Sequence, residues 1–245
     1  MIERETRTVL IVDGSPTMLY YHGILLKRLE YAVITAAAPE DALKIMEQRV
    51  PSLILTATFF PSMNGVDFIK TVKGKDRTRA VPIIVLTAED HASVKSACLN
   101  AGCVAYFSKP VDPNALYRAI QAATEPTPRE NIRINTSLKT VLANKDRHRA
   151  GDRIEYATAI SEKGAYIRML DPEQTNELIP ITIHVTDREI RAKAIVLYTH
   201  SIKQGTFQEP GMGLKFVEIS DEDRAYLRNF IKAQLTSDIL IDPSL

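Results

Sequence analysis

Thr8-Val9-Leu10-Ile11-Val12-Asp13 is the stretch on which the fold turns. Its first five residues are β-branched or apolar with no polar alternation, which suits a strand buried on both faces of a parallel sheet. The run ends on a carboxylate, at the place where such a sheet presents its ligand-binding edge. Ser15-Pro16 follows as a helix cap and first helical position, and Met18, Leu25, Leu26 and Leu29 recur at helical spacing. The alternation then repeats down the chain. Ala32–Ala36, Ser52–Thr56, Val81–Thr87 and Val104–Phe107 read as strands; Pro39–Gln48, Gly65–Lys73 and Ala92–Asn100 read as helices. Gly102 is placed to end one helix as its C-cap, and Asp112-Pro113 opens a last one running to about Ala123. Five strands alternating with five helices at short spacing predict a parallel sheet covered on both faces.

Composition narrows the function classes. The 245 residues suffice for two cores, with 45% hydrophobic and 25% charged residues and a formal net charge of +1. So near a balance gives no overall field to draw the chain to nucleic acid or a membrane surface. No apolar run approaches the roughly 20 residues that span a bilayer, and Met1–Glu5 has no signal-peptide pattern. Cys98 and Cys103 read as buried thiols of a reducing compartment, so a cytoplasmic location is expected.

A second domain follows a stiffened connector, Thr124-Glu125-Pro126-Thr127-Pro128. Ser137–Ala143 and Arg153–Ile160 read as antiparallel strands around the polar turn 144–152, and Ala165–Leu170 as a third after Lys163-Gly164. Ile179, Ile181, Ile183 and Val185 alternate with Thr182 and His184, the period of a half-buried strand. Glu189–Thr199 and Gly213–Ile219 bring the count to about six, and Ser220 caps a final helix with Asp221–Asp223 in its first turn. Short antiparallel strands closed by a helix suit a small barrel. His148, His184 and His200 lack metal-ligand spacing and read as surface polar residues; no nucleophile, base or metal constellation is visible. Arg147, Arg149 and Arg153 read as solvated hairpin charges.

Four motifs carry a resemblance for the first half: Val9-Leu10-Ile11-Val12-Asp13, Pro61-Ser62-Met63-Asn64-Gly65, Ile84-Val85-Leu86-Thr87-Ala88 and Tyr106-Phe107-Ser108-Lys109-Pro110. Over about residues 7–123 they resemble the receiver domain of bacterial response regulators, a flavodoxin-like fold. Receivers hold magnesium on an acidic pair after the first strand and phosphorylate an aspartate after the third, assisted by Thr or Ser and by Lys. This chain keeps Asp13, Thr87 and Lys109, but has Gly14 at the second acidic place and Ala57 at the phospho-acceptor. A methyl group cannot accept a phosphoryl group, and one carboxylate is a poor cage for a hard cation. Asp67, within the third helix, and Asp76, in the loop beyond it, stand in the wrong places to substitute. The expectation is a phosphorylation-incompetent receiver with no metal, in which Lys109 pairs with Asp13 and Thr87 caps backbone groups. Its remaining use is a signalling protein partner, met either by an exposed group including Leu19, Tyr20 and Phe59 or, if Phe59 fills the vacated space, elsewhere. Receivers commonly pair on the face of the fourth helix, fifth strand and fifth helix, where Tyr106 takes the switch position, so a homodimer stays open.

Arg129-Glu130-Asn131-Ile132-Arg133, followed by Ser161-Glu162-Lys163-Gly164, resembles the cyclic di-GMP signature of PilZ domains. Glu209-Pro210-Gly211-Met212-Gly213-Leu214-Lys215-Phe216 resembles their late Gly-Met-Gly strand. The resemblance implies that Arg129 and Arg133 clamp phosphate and guanine, Ser161 hydrogen-bonds, and Gly164 lets the backbone close on the ligand. The family has Asp or Asn two residues before the serine; Ala159 stands there. Losing one bidentate base contact removes about 1–3 kcal/mol, enough to weaken a receptor or silence it. The expected organisation is a receiver-like domain at 1–123, a linker at 124–130 and a PilZ-like barrel at 131–245. The expected function is a non-catalytic adaptor of two-component signalling, responsive to cyclic di-GMP, in motility or chemosensory control. The alternative is a scaffold that has lost the ligand.

Overall fold

The computed structural model describes residues 7–88, 91–143, 152–201 and 209–239. The chain divides into two compact units at Glu130/Asn131, with the stretch from Leu235 counted with the first.

The first unit is an α/β sandwich. Its strands are β1 (Thr8–Val12), β2 (Ala32–Ala36), β3 (Leu53–Thr56), β4 (Ile83–Thr87) and β5 (Ala105–Ser108). They alternate with α1 (Pro16–Arg28), α2 (Pro39–Gln48), α3 (Gly65–Gly74), α4 (Ala92–Asn100) and α5 (Pro113–Thr124). The strands pair in parallel in the order β2-β1-β3-β4-β5. β1, β3 and β4 are buried along their whole length, as their unbroken apolar runs require. Helix starts follow local chemistry. Ser15 accepts the Met18 N–H, Asn64 that of Asp67, and Asp112 those of Asn114 and Ala115. Gly102, at φ +106°, takes the left-handed turn after α4. On α1, Leu25, Leu26 and Leu29 enter the core as expected, whereas Met18 is only half-buried. Cys98 and Cys103 are free, buried thiols, and burial raises the pKa of both. The chain leaves β1 for one neighbour and returns for the other, so the carboxyl ends of β1 and β3 flank a topological switch point.

The second unit is a closed barrel in the order β10-β11-β8-β7-β6-β9. Its strands are β6 (Arg133–Leu142), β7 (Arg153–Ser161), β8 (Gly164–Arg168), β9 (Leu178–Val185), β10 (Arg188–His200) and β11 (Gly211–Ile219), followed by α6 (Asp221–Thr236). β6 begins four residues earlier than its apolar pattern predicted: Ile132 and Ile134 already point inward, and Arg133 is a strand residue. Irregular register at 135–138 of β6 and 157–159 of β7 turns each strand's facing, which is how a short sheet bends into a barrel. Ser220 caps α6 by accepting the Asp223 N–H. No described helix is long and apolar enough to cross a membrane.

Candidate functional site

At the switch point of the first unit the polar groups satisfy one another. Asp13, buried at the end of β1, accepts the Ser15 N–H at 3.0 Å on one carboxylate oxygen and forms an ion pair with Lys109 through the other. Ala57 stands at the end of β3, buried and packed in the core cluster. Beside it, the Thr58 and Thr87 hydroxyls share a buried hydrogen bond of 2.5 Å. The Thr87 hydroxyl, expected to cap backbone groups, thus meets another side chain. The loop ahead of α3 folds tightly over this end: Gly65 donates to the Thr58 carbonyl at 2.8 Å, and a Cβ on it would lie 2.7 Å from the Thr58 Cα. A divalent cation does not fit these residues. Asp13 is already engaged by an ammonium group, Gly14 carries no side chain and Ala57 offers a methyl.

Of the neighbouring aromatics, Phe60 enters the core while Phe59 stays 73% exposed, so Phe59 does not fill the space of the absent carboxylates. Tyr20 is 60% exposed and Leu19 half-buried. Tyr106 packs partly buried against the core cluster. Asp67 lies on α3, capped to Asn64, and Asp76 pairs with Arg79 beyond it.

His22 gave no signal in the sequence. It lies on the inner face of α1, 2% exposed, and its Nδ1 finds no hydrogen-bond partner among the described residues. Burial, and then the nearby Lys109 charge, push its pKa down to about 4.

In the barrel, the strand register assembles three of the four expected ligand residues. Arg133, first residue of β6, pairs across the ladder with Ser161, and Ser161 pairs with Gly164 across the two-residue turn Glu162-Lys163. Arg133 is exposed, and among the described residues its guanidinium makes no ion pair. Ser161 and Gly164 also have structural duties. The Ser161 hydroxyl donates to the Gly164 carbonyl at 3.1 Å, and a Cβ on Gly164 would meet the Leu214 carbonyl oxygen at 2.1 Å. That glycine thus admits β11. Glu162 is gripped by both arms of Arg228 from α6, at 2.6 and 3.1 Å, and this hydrogen bonding holds its carboxyl below the usual range. The fourth residue, Arg129, belongs to the first unit, where its backbone N–H donates to Gln121 Oε1 at 3.0 Å; Gln121 in turn donates to the Tyr31 hydroxyl.

One step along the strands, Asn135 pairs with Ala159 and Ala159 with Tyr166. Tyr166 continues to Gly213, and Gly213 to Tyr198. A Cβ on Gly213 would meet the Tyr198 ring at 2.3 Å, so this glycine lets the ring lie over β11. Tyr166 and Tyr198 stack with centroids 6.3 Å apart, and His200 joins both at 6.1 and 5.3 Å. His200 is thus not the solvated polar residue expected: it is half-buried among rings, with Nε2 unpartnered among the described residues. The Tyr166 hydroxyl donates to the Glu209 carbonyl at 2.5 Å, and burial, with Tyr198 and Glu209 beside it, pushes its pKa up to about 12.

Family models match a response regulator receiver domain at residues 9–121 and a PilZ domain at residues 127–233. This chain carries a receiver domain followed by a PilZ domain. Both are regulatory rather than enzymatic domains. The receiver half is 30% identical over 114 residues to Protein PilH of Pseudomonas aeruginosa, covering 46% of this chain and 94% of that protein. It is 32% identical over 122 residues to the alkaline phosphatase synthesis transcriptional regulatory protein PhoP of Bacillus subtilis, covering 49% of this chain and 50% of the relative. Among solved structures, the chemotaxis protein CheY4 of Vibrio cholerae matches 49% of this chain and 99% of its own, at 27% identity and a TM-score of 0.46.

Other charged and polar residues of the PilZ domain serve its own packing. Arg153 pairs with Glu173 and Glu155, and His184 stands 3.9 Å from Glu189 across β9 and β10. Arg188, over the Tyr226 ring at 5.2 Å, pairs with Glu222 and Asp223 at the start of α6. Arg147, His148 and Arg149 lie outside the described residues. Among the described residues no cluster of His, Cys, Asp and Glu has the make-up of a metal site.

Proposed function

We propose that this protein is a cytoplasmic signalling adaptor in which the PilZ domain takes up cyclic di-GMP and the receiver works through protein contacts, without phosphorylation. The observation that supports it most directly is a contrast of commitment. Asp13, Lys109, Thr58 and Thr87 are engaged with one another around a methyl group, whereas Arg133 stands exposed beside Ser161 at the opening of β6. An exposed guanidinium is a planar, permanently charged fork suited to phosphate oxygens or a guanine edge. Arg129, four residues upstream, carries a second guanidinium of the same kind. Motility or chemosensory control is the output that such an adaptor serves.

The test is calorimetry of the full chain with cyclic di-GMP. Micromolar or tighter binding is expected. Arg133→Ala is expected to weaken it roughly 10- to 150-fold, the loss of about 1.5–3 kcal/mol that follows removal of a charged hydrogen-bonding partner, and Arg129→Ala should weaken it too. No heat at high micromolar ligand overturns the reading. Covalent labelling of the receiver by acetyl phosphate with magnesium would overturn its other half.

A second reading, a scaffold that has lost the ligand, is favoured by Ala159 and by the use of the Ser161 hydroxyl within its own hairpin. It predicts no binding heat, and partner capture unchanged by an Arg129→Ala/Arg133→Ala double substitution.

A further inference from the structure

A guanine base demands more than a cation. Its Watson–Crick edge pairs donors with an acceptor, so a reader needs one group that can accept and donate side by side, and its ring wants a flat apolar neighbour. The outer face of the PilZ domain offers both next to Arg133. Ile132 and Ile134 point into the barrel, so Arg133 and Asn135 share the outward face of β6, and Asn135 is exposed. Directly across the ladder from Asn135 is Ala159, and directly across from Ala159 is Tyr166. Cross-strand partners carry their Cβ atoms about 4.5–5.5 Å apart. At that spacing a carboxamide on Asn135 comes within reach of Ala159, whose side chain is a single methyl. The Tyr166 ring bounds it on the far side, fixed by its stack on Tyr198 and by the hydroxyl bonded to the Glu209 carbonyl.

We infer that one guanine of the ligand lies over Ala159, with its edge read by Asn135 and its ring against Tyr166. The amide absent from position 159 is supplied from the adjacent strand. This rests on the cyclic di-GMP reading above and adds to it a specificity residue, Asn135, and a stacking residue, Tyr166.

The experiment is calorimetry of the full chain with cyclic di-GMP and, separately, cyclic di-AMP, on wild type, Asn135→Ala, Ala159→Asn, the Asn135→Ala/Ala159→Asn double variant, Tyr166→Phe and Tyr166→Leu. Wild type should prefer cyclic di-GMP. Asn135→Ala should weaken it roughly 5- to 150-fold and narrow the preference over cyclic di-AMP, the loss expected for one bidentate base contact. Restoring an amide one strand over, in the double variant, should recover most of that loss, which a merely structural role for Asn135 would not allow. Tyr166→Phe should bind within about twofold of wild type, while Tyr166→Leu should lose roughly 5- to 150-fold, the range for a base–aromatic stack. Binding that persists unchanged in Asn135→Ala overturns this inference and leaves the cyclic di-GMP reading standing. Binding absent from wild type and from Ala159→Asn alike overturns both. Binding that appears only in Ala159→Asn shows that Asn135 does not replace the missing amide, and overturns both the inference and the cyclic di-GMP reading of the unaltered chain.

Discussion

The receiver site and the outer face of the PilZ barrel each set polar groups around an alanine, in two different arrangements. Around Ala57, a carboxylate, an ammonium and two hydroxyls are turned on each other, and the loop before α3 is sealed over them by Gly65. Around Ala159, an arginine, an asparagine and a tyrosine ring face outward across adjacent strands. One alanine closes a pocket because its neighbours can reach each other across the gap. The other lies between strands whose pairing sets its neighbours at fixed spacing. The same small side chain thus has different consequences on the two scaffolds.

The sharpest way to break this comparison is Asp13→Ala. The Asp13 and Lys109 side chains are only 8% and 14% exposed, and removing one partner of a buried pair typically costs about 3–5 kcal/mol because the other charge is left uncompensated. Urea unfolding of the full chain should show the receiver transition shifted by that amount, with the barrel transition unchanged. Asp13→Ala/Lys109→Met should recover most of the loss. A shift under about 1 kcal/mol would mean that water screens the pair, and that the receiver site is as open as the barrel face.

His22 gives the next largest effect. Its folded pKa of about 4 lies below the ordinary 6.5, so the unfolded chain binds the proton more readily. Stability attached to His22 is therefore full above pH 6.5, is lost as pH falls, and is gone below about 4. A gap of this size is worth up to about 3 kcal/mol. Asp13, Lys109 and Tyr21 are the groups that face it. His22→Leu should flatten the receiver's stability between pH 6.5 and 4, relative to wild type. An unchanged slope would place the histidine in contact with water.

Much of this was legible in the chain. The unbroken run Thr8–Val12 gives a fully buried strand, and the alternation of strand and helix gives the parallel sheet. Asp13, Gly14 and Ala57 announce the altered site directly. What could not be read depends on register. Which of Phe59 and Phe60 enters the core is set by the facing of the chain as it leaves β3, and both residues are equally apolar. Gly164 looks like a ligand-facing glycine until β11, some fifty residues later, is laid against it. Arg133 was named from its motif, but its place and that of Asn135 on β6 were hidden by the prolines ahead of them, although Ile132 and Ile134 already carried the strand alternation. Tyr166, Tyr198 and His200 share no sequence spacing at all; only the β8-β11-β10 ladder brings their rings together.

The smallest effect tests whether the barrel face depends on its terminal helix. Arg228 on α6 holds Glu162 with two hydrogen bonds, in the turn between Ser161 and Gly164. That turn sets where Ser161 stands opposite Arg133. The Arg228 side chain is 52% exposed, so the pair contributes at most about 1 kcal/mol to stability after screening by solvent and salt. Because Glu162 titrates below the ordinary carboxylate range, this contribution is present above that range and is lost as pH falls through the folded value. Arg228→Ala should therefore lower barrel stability by less than about 1 kcal/mol at neutral pH, with the difference from wild type shrinking in acid. Affinity for cyclic di-GMP should change less than about threefold, since the Ser161–Gly164 hairpin is also held by β11 through the Phe216 N–H to the Lys163 carbonyl, 2.9 Å. A larger loss of affinity at unchanged stability would make α6 a control element for the ligand face, and the barrel would then differ from the receiver in being adjustable as well as open.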